Sequence, residues 1–257
     1  MKIVTWNVNS IRARLDRLSA WLLANQPDAI CLQELKVAED AFPLDEIRKA
    51  GYYVSMNCQK TYNGVAILSK SEPVDVKSGF VDGIEDTEAR LISATVDGVR
   101  IISAYIPNGD TTESDKYARK LEWLGRLKTY LGKVDTVSEK MLICGDFNIV
   151  PAAIDAAKPE SWEGSVLYNE DLRREFSLIQ GLGWIDVFRK HRPGAGLYSW
   201  WDYRRLSFPR NDGLRIDHIL ATHALAPLSS AAGIDRDARK GEKPSDHAPV
   251  WATFDIK

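Results

Sequence analysis

The stretch LISATVDGVRIISAYI, residues 91–106, carries the clearest signal for the fold. Two runs rich in Val and Ile flank Asp97-Gly98, and an Asp-Gly pair in that position is typical of a tight β-hairpin. A tight hairpin joins antiparallel strands, so this stretch predicts antiparallel pairing within a sheet. Similar apolar runs on both sides of it predict further strands at Ile3–Val8, Ala29–Leu32, Val65–Leu68, Met141–Cys144, Leu214–Leu220 and Val250–Phe254.

Helical patterns lie between these strands. Apolar residues recur at helical spacing in two series, Ile11, Leu15, Leu18, Leu22 and Leu121, Leu124, Leu127, Leu131. A third predicted helix covers Asn169–Leu182. Hairpins favour antiparallel sheets, and intervening helices favour sheets whose outer faces are covered. The sequence therefore predicts one α/β domain over residues 1–257, with helices outside mainly antiparallel sheets.

The composition excludes several classes of protein. The chain has 257 residues, of which 27% are charged and 44% hydrophobic, as in folded soluble proteins and unlike disordered ones. No apolar run approaches the ~18 residues of a spanning helix, and no signal peptide is recognisable. The three cysteines are far apart, which argues against disulfides or a zinc knuckle and favours the cytoplasm. The net charge of -2 neither indicates nor excludes nucleic-acid binding.

Polar residues stand at the ends of the apolar strands, and they carry the functional signal. They are Asn7, Glu34, Asp146, Asn148, Asp217, Asp246 and His247. Taken singly, each can be a turn residue that bonds its own backbone. Asp217 and Glu34 are the best single candidates, because a buried carboxylate is costly unless it is paired or binds a metal. Together the set predicts a hard-metal site of the kind that Mg²⁺ prefers.

The histidines narrow the chemistry further. Only His247 lies beside acidic residues at a strand end, so a zinc site is not expected. Neighbouring side chains in an extended segment point to opposite faces, so Asp246 is not expected to orient His247. Asp217 is the candidate partner from another strand, and such a pair favours a charged imidazole. A protonated His247 could then donate to a phosphate oxygen.

Residues 200–215 combine aromatic and basic side chains. The segment holds four arginines against two aspartates, a local charge of +2, together with four aromatic residues. Aromatic rings interleaved with Arg suit sugars or bases next to phosphates. The alternative is a packed loop in which one of the adjacent Trp200 and Trp201 belongs to the core. A polar turn over residues 59–64 is a smaller candidate for a contact with a nucleic-acid backbone.

Five motifs occur in a fixed order from Trp6 to Val250. They read TWNVN (5–9), LQELK (32–36), GDFN (145–148), GLRID (213–217) and SDHAPV (245–250). Together with the WWDYR loop and the KPSDH ending, they closely resemble the bacterial type of the exonuclease III family of apurinic/apyrimidinic endonucleases. That family belongs to the DNase I-like endonuclease/exonuclease/phosphatase superfamily.

The resemblance implies a four-layer α/β sandwich and a set of site residues. The implied metal-binding residues are Asn7, Glu34, Asp146, Asn148, Asp246 and His247. The implied catalytic residues are Tyr105, Asp146, Asn148, Asp217 and His247. The expected DNA contacts are Lys36, Tyr62, Asn63, Asn108, Trp200, Trp201, Arg204 and Arg215.

The implied reaction is Mg²⁺-dependent hydrolysis of the phosphodiester 5′ to an abasic site, with Mn²⁺ as a substitute ion. It leaves a 3′ hydroxyl and is accompanied by some 3′→5′ exonuclease or 3′-end-trimming activity. The implied partner is double-stranded DNA with abasic sites or blocked 3′ ends, bound by a cytoplasmic monomer. An abasic nucleotide has no base to unstack, so extruding it is cheap and supplies selectivity.

Three other functions remain to be weighed. A phosphoesterase acting on phosphoinositide or sphingomyelin would use a similar metal site, but the aromatic and basic loop argues against it. A secreted DNase is expected to have a signal peptide and disulfides. A catalytically inactive DNA-binding module is expected to have lost Glu34, Asp146 or His247. Residues 155–169 match the family pattern poorly, and we expect them to influence the balance between incision and exonuclease activity.

Overall fold

The computed structural model describes residues 1–256, which form two six-stranded sheets. The strands are β1 (Lys2–Asn7), β2 (Ala29–Gln33), β3 (Tyr53–Asn57), β4 (Val65–Ser69), β5 (Val74–Ser78), β6 (Leu91–Val96), β7 (Val99–Tyr105), β8 (Met141–Asp146), β9 (Trp184–Asp186), β10 (Asp217–Thr222), β11 (Ser229–Ile234) and β12 (Val250–Phe254). The helices are α1 (Leu15–Asn25), α2 (Leu44–Lys49), α3 (Asp115–Leu131), α4 (Glu170–Gly181), α5 (Val187–His191) and α6 (Ser207–Arg210). Short 3₁₀ turns complete the regular structure.

Both sheets have the same pairing pattern. The first runs β11-β12-β1-β2-β4-β3 and the second β5-β6-β7-β8-β10-β9. In each sheet the two central strands, β1 with β2 and β7 with β8, are parallel, and the other neighbours are antiparallel. The two strands of a parallel pair finish at the same edge, so each sheet presents two carboxyl ends side by side at its middle.

Three apolar clusters hold four layers together. The central cluster joins inward side chains of both sheets, such as Ile3 and Cys31 from the first and Ile101 and Cys144 from the second. A second cluster packs α3 and α4 against the outer face of the second sheet. A third packs α1 and α2 against the outer face of the first. The predicted four-layer α/β sandwich with mainly antiparallel sheets is confirmed.

The eight predicted strands and the three predicted helices are all present, with small differences at their ends. The hairpin closes with Val96 opposite Val99, on either side of the Asp97-Gly98 turn. The strand predicted over Leu214–Leu220 begins at Asp217, because Leu214 forms an isolated bridge with Trp200 instead. The strands without a sequence prediction are β3, β5, β9 and β11, which are the four edge strands. An edge strand has one neighbour and a weaker apolar pattern, and β5 is exposed along its whole length.

Within residues 1–256, no helix has the length and apolar character needed to cross a membrane.

Gly145 permits the close pairing of β7 and β8 directly before Asp146. It lies opposite Ala104 in the register, with a φ of +152° that side chains rarely adopt. A Cβ at this position would overlap the carbonyl oxygen and backbone of Ala104. The strand that carries Asp146 can therefore pair this closely only with glycine at position 145.

We expect Gly145→Ala to lower the free energy of unfolding by more than ~3 kcal/mol, because backbone atoms must move to admit the methyl group. Urea unfolding followed by circular dichroism measures this. Gly125→Ala is the matched control, since Gly125 lies within α3 with open space where its Cβ would be. That variant should be more stable by about 0.5–1 kcal/mol. Equal stability of Gly145→Ala and the wild type would contradict the overlap.

Candidate active site

Four predicted site residues lie at the carboxyl ends of the central strands. Asn7 ends β1 and Glu34 directly follows β2 in the first sheet, while Tyr105 and Asp146 end β7 and β8 in the second. The Asn7 amide donates to Glu34 Oε1 at 2.8 Å and to Asp146 Oδ2 at 2.9 Å, so it bridges the two sheets. The Tyr105 hydroxyl donates to Glu34 Oε1 at 3.0 Å. Face-to-face packing of the sheets therefore assembles this site.

Two further site residues lie where antiparallel strands begin at the same edge. Asp217 is the first residue of β10 and stands opposite Asp146 in the register. His247 precedes β12, which pairs with β1. His247 Nδ1 lies 2.9 Å from Asp217 Oδ2, and His247 Nε2 lies 3.7 Å from Asp146 Oδ2. The predicted pairing of His247 with Asp217, on a different strand, is confirmed.

Asp246 points away from the His247 ring, as expected for a neighbour in an extended segment. Its Oδ1 accepts from the Asn9 amide and its Oδ2 from the Trp200 indole, both at 3.0 Å. It is not part of the compact group of potential metal ligands. Through the hydrogen bond to Trp200, Asp246 therefore attaches the loop that contains Trp200 to the edge of the site.

Charge compensation in this buried cluster sets the ionisation of Glu34. Burial alone would raise the pKa of the Glu34 carboxyl. Lys36 and the Asn7 amide outweigh that effect and hold the pKa below its ordinary value, and the Lys36 ammonium lies 2.7 Å from Glu34 Oε2. Glu34 is therefore a carboxylate at neutral pH.

His247 and Asp146 are shifted in pKa by the same cluster. Burial would lower the pKa of the His247 ring, but Asp217 and Asp146 outweigh it and raise that pKa to about 10. Burial raises the pKa of Asp146 to about 7, and Asp217 and Glu34 add to this rise while His247 opposes it. The ring is a cation at neutral pH, and Asp146 can change its protonation state there.

The chemistry of the donors fits a hard divalent cation. Ligand atoms of Glu34, Asp146 and His247 lie within 4.8 Å of one another. A protonated imidazole has no lone pair to offer, so His247 is a hydrogen-bond donor in this cluster. The two carboxylates remain, with the Asn7 amide between them. A few oxygen ligands with room for water and phosphate are what Mg²⁺ takes in proteins.

Asn148 lies beside this group with its amide already engaged. Its Nδ2 donates to the Ile106 carbonyl, and its Oδ1 accepts from the exposed Asn108 at 3.1 Å. Both ends of the amide are thus engaged in hydrogen bonds, and the role of Asn148 as a metal ligand stays a prediction. The contact with Asn108 links the loops after β7 and β8.

Lys120 is a functional-site neighbour that the sequence reasoning missed. It is fully buried, and its ammonium donates to the carbonyls of Asn108, Asn148 and Val166 at 2.5–3.0 Å. Burial lowers its pKa to about 7, and Asp146 opposes the shift. Lys120 precedes Leu124 by four residues on α3 and thus lies on the buried face, a signal that was available in the sequence.

Several backbone positions at the site are in the left-handed region. Glu34, Lys36 and Asn148 have φ values of +54°, +53° and +50°. Such conformations are rare outside glycine and cluster at functional sites. These turns aim the Glu34 carboxylate and the Asn148 amide at the end of the sheets, and strand patterning alone would not have predicted them.

The structure separates the predicted DNA contacts into exposed and buried groups. Tyr62, Asn108 and Arg204 are exposed, and Lys36 and Trp200 are half-buried at the edge of the site. Asn63 is buried, and its amide donates to Gln59 at 2.9 Å. The prediction that Asn63 contacts DNA is therefore corrected, because the turn directs its side chain inward.

Trp201 also requires correction. Its side chain is fully buried, with its indole donating to Asn211 and its ring packed edge-on against Phe208. Trp200 and Trp201 diverge as neighbours in an extended segment do. Trp201 is the core member of the pair, and Trp200 remains as the candidate for a DNA contact.

Arg215 cannot reach DNA in this structure, which overturns its predicted contact. It is 1% exposed, and its guanidinium pairs with Asp155 at 2.6 Å and with Asp186 at 2.9 Å. A further nitrogen lies 2.9 Å from His218 Nδ1. Burial would lower the pKa of Arg215, but the two aspartates raise it, so the charge is retained. Arg215 anchors the segment after Asn148 to the strand that begins with Asp217.

Comparisons with known proteins agree with this geometry. The profile of the Endonuclease/Exonuclease/phosphatase family matches residues 4–247. The chain belongs to the endonuclease/exonuclease/phosphatase family. Within that family it is 38% identical to exodeoxyribonuclease III of Haemophilus influenzae, over 99% of this chain and the whole of that protein. The resemblance to the exonuclease III type is thereby confirmed.

Solved structures of family members have the same fold. An AP endonuclease from Archaeoglobus fulgidus is 43% identical with a TM-score of 0.96, and the match covers both chains completely. A 3′–5′ exonuclease from Neisseria meningitidis is 42% identical with a TM-score of 0.96, again over both complete chains. This chain is thus equally similar to family members with different named activities.

We expect the His247 ring to stay protonated above pH 8 in metal-free protein, because Asp217 stabilises the cation. Imidazole NMR titration measures its pKa, and Asp217→Asn should lower that value. The folded pKa of about 10 exceeds the ordinary 6.5. The contribution of the protonated His247 to the free energy of unfolding is therefore fully present below pH 6.5, and it is lost as the pH rises through 10.

Asp246→Asn is the matched control for this titration, since that carboxylate does not bond the ring. It should lower the His247 pKa less than Asp217→Asn does. A wild-type ring that titrates near 6.5 would show that the pair does not hold the proton.

We expect Arg215→Met to lower the free energy of unfolding by about 3–5 kcal/mol, because Asp186 would lose its ion pair and Asp155 would keep only Arg189. Urea unfolding measures the loss. Arg204→Met removes an exposed arginine from the nearby loop and should stay within about 0.5 kcal/mol of the wild type. If Arg215→Met has normal stability and weakened DNA binding, the result would support the predicted contact of Arg215 with DNA.

Proposed function

We propose that this chain is a metal-dependent DNA-repair nuclease. It hydrolyses the phosphodiester 5′ to an abasic site and leaves a 3′ hydroxyl, with some 3′→5′ exonuclease or 3′-end-trimming activity. One observation carries the proposal. Glu34, Asp146 and the Asp217–His247 pair meet in a buried cluster beside an exposed loop with Trp200 and Arg204. The names of similar proteins, exodeoxyribonuclease III and AP endonuclease, support the same conclusion.

The proposed cofactor is Mg²⁺, with Mn²⁺ as a substitute. Glu34 would be its main ligand, and Asp146, Asn7 and Asp246 would help to hold it. When bound, the ion supplies positive charge that stabilises the phosphate and the departing oxygen. Lys36, which pairs with Glu34 at 2.7 Å, is placed to release that carboxylate to the ion and to contact the DNA backbone.

Asp146 is the proposed general base. A pKa of about 7 suits a carboxylate that takes a proton from water near neutral pH. As the water oxygen bonds to phosphorus, its proton passes to Asp146. The bond between phosphorus and the 3′ oxygen then breaks, which leaves a 5′ phosphate on the abasic nucleotide.

Donors around the phosphate complete the mechanism. The His247 cation, held by Asp217, donates from Nε2 to a non-bridging oxygen. Burial, Glu34 and Asp146 keep the pKa of Tyr105 well above its ordinary value, so its hydroxyl keeps a proton to donate toward the departing 3′ oxygen. Asn148 and Asn108, whose side chains are hydrogen-bonded to each other, contact the phosphate. Fixed donors of this kind stabilise the charge that develops in the transition state.

The DNA partner is a duplex with an abasic site or a blocked 3′ end. Trp200, Tyr62 and Arg204 are the proposed contacts on the exposed rim. We place the protein in the cytoplasm as a monomer with one domain over residues 1–257. Two buried free thiols, Cys31 and Cys144, support a reducing compartment.

An end-labelled duplex with one stable abasic analogue tests the function. We expect a single nick 5′ to the analogue with Mg²⁺, a similar nick with Mn²⁺, and intact DNA with a chelator. An undamaged duplex and a 3′-recessed duplex in parallel measure the exonuclease share. If the folded protein leaves the DNA intact in every lane, the proposed function is wrong and the site acts on a different phosphoester.

Asp146→Asn should reduce the rate of incision by at least ~10³-fold while DNA affinity stays near that of the wild type, because the base is lost and the fold is kept. Single-turnover kinetics and fluorescence anisotropy measure the two quantities. Asp135→Asn is the control, since this exposed carboxylate precedes β8 at its opposite end. Turnover retained in Asp146→Asn would remove Asp146 from the mechanism.

A further inference from the structure

A cleft of about 370 Å³ lies outside the carboxylate cluster, between the loop that follows Trp201 and the loop before Asp246. Its walls include the rings of Tyr203 and Phe208, together with Arg239 and Lys240. It is close to the active site, because the Tyr203 hydroxyl donates to the Pro244 carbonyl at 2.8 Å, two residues before Asp246.

Arg239 is the unusual residue of this cleft. It is 7% exposed, and its guanidinium lies 4.8 Å from the Tyr203 ring centroid and 5.2 Å from that of Phe208. Within residues 1–256 its buried Nε has no hydrogen-bond partner, and the guanidinium enters no salt bridge. The two aromatic rings are thus the partners of the guanidinium, and its terminal nitrogens are left able to bind an anion in the cleft.

The carboxylates near the cleft are engaged elsewhere. Asp202 binds Arg204 at 2.8 Å, and Asp237 binds Lys240 at 2.6 Å. Asp246 is the one carboxylate whose charge acts on Arg239, and it accepts hydrogen bonds from Asn9 and Trp200, so no carboxylate in the described part of the chain pairs directly with Arg239.

Two more arginines add to the positive charge, and their partners are backbone carbonyls and the Tyr203 hydroxyl. Arg14 donates to the carbonyls of Asn9 and Pro244, and Arg17 to those of Ala238, Lys240 and Glu242. The Nε atoms of both are buried without a partner in the described part of the chain. Carbonyl partners fix the arginines in place without cancelling their charge.

We propose that Arg239 binds a phosphate group in this cleft, and that the phosphate belongs to the DNA backbone flanking the bond that is cut. The DNA source rests on the proposed nuclease function. Asn9 joins the cleft to the proposed metal ligand Glu34, since its amide contacts Tyr203 at 3.5 Å and Lys36 at 2.7 Å, and Lys36 pairs with Glu34. A strand held at Arg239 would therefore lie beside the active site, and the contact would supply affinity while the chemistry stays with Asp146 and His247.

Kinetics of Arg239→Met test the proposal, because methionine keeps the contact with both rings and removes the charge. On the abasic duplex we expect KM to rise about tenfold with kcat within about twofold, since one phosphate contact is lost. The slope of log affinity against log salt should fall by about 1. Arg239→Lys keeps the charge and should recover most of the affinity.

Arg236→Met is the matched control. Arg236 also packs on Phe208, at 4.2 Å, but its guanidinium donates to the Phe208 carbonyl and does not line the cleft. We expect its KM and salt slope to match the wild type. A fall in kcat with unchanged KM in Arg239→Met would overturn the proposal, because Arg239 would then act only by positioning the loop with Asp246.

NMR of arginine Nε–Hε groups in the wild type separates the anion site from the nuclease function. We expect the Arg239 signal to shift saturably with inorganic phosphate at millimolar concentration and with duplex DNA at lower concentration. No response to either overturns the site, even if the protein cleaves DNA. A response to inorganic phosphate alone, with unchanged KM in Arg239→Met, overturns the DNA assignment. A response in protein that cleaves no abasic DNA supports the anion site and tells against the nuclease function instead.

Discussion

Three carboxylates packed at one place, with Asp146 and Asp217 buried and Glu34 half-buried, are the constraint on which the rest of the structure depends. Glu34, Asp146 and Asp217 lie within one cluster, where mutual repulsion and loss of water would each oppose folding. The His247 cation, Lys36 and the Asn7 amide compensate this charge. The same compensation leaves Asp146 with a pKa near neutrality and His247 with a proton. The stability of the cluster and its fitness for phosphoester chemistry therefore have one electrostatic origin.

Most of the architecture could be predicted because it depends on buried apolar patterns. The eight strands predicted from the apolar pattern are the interior strands of the two sheets, and the four strands without a prediction are the edge strands. Interior strands need apolar side chains on both faces, whereas β5 lies open to solvent and its residues carry no such requirement. The pairing of His247 with Asp217 could also be predicted, because alternation along an extended segment excludes Asp246.

What the sequence could not supply is the direction of individual side chains outside regular strands. Arg215 and Arg204 belong to one basic segment, but one forms a buried ion pair and the other is exposed. Asn63 and Trp201 turn inward for reasons of loop geometry that composition does not record. Lys120 is the opposite case. Its helical spacing from Leu124 marks a buried position, and a lysine there is informative because it must find partners.

The proposed active site is divided between the two sheets, and this division limits how the protein can change. Asn7, Glu34 and His247 come from the first sheet, and Tyr105, Asp146 and Asp217 from the second. Neither half has a complete set of the proposed chemical groups, so the proposed reaction needs both sheets. Substitutions that alter the inner faces of the sheets also alter the spacing of the reacting groups. Diversification is therefore directed to the loops at the rim, where substrate preference can change while the spacing between the sheets stays fixed.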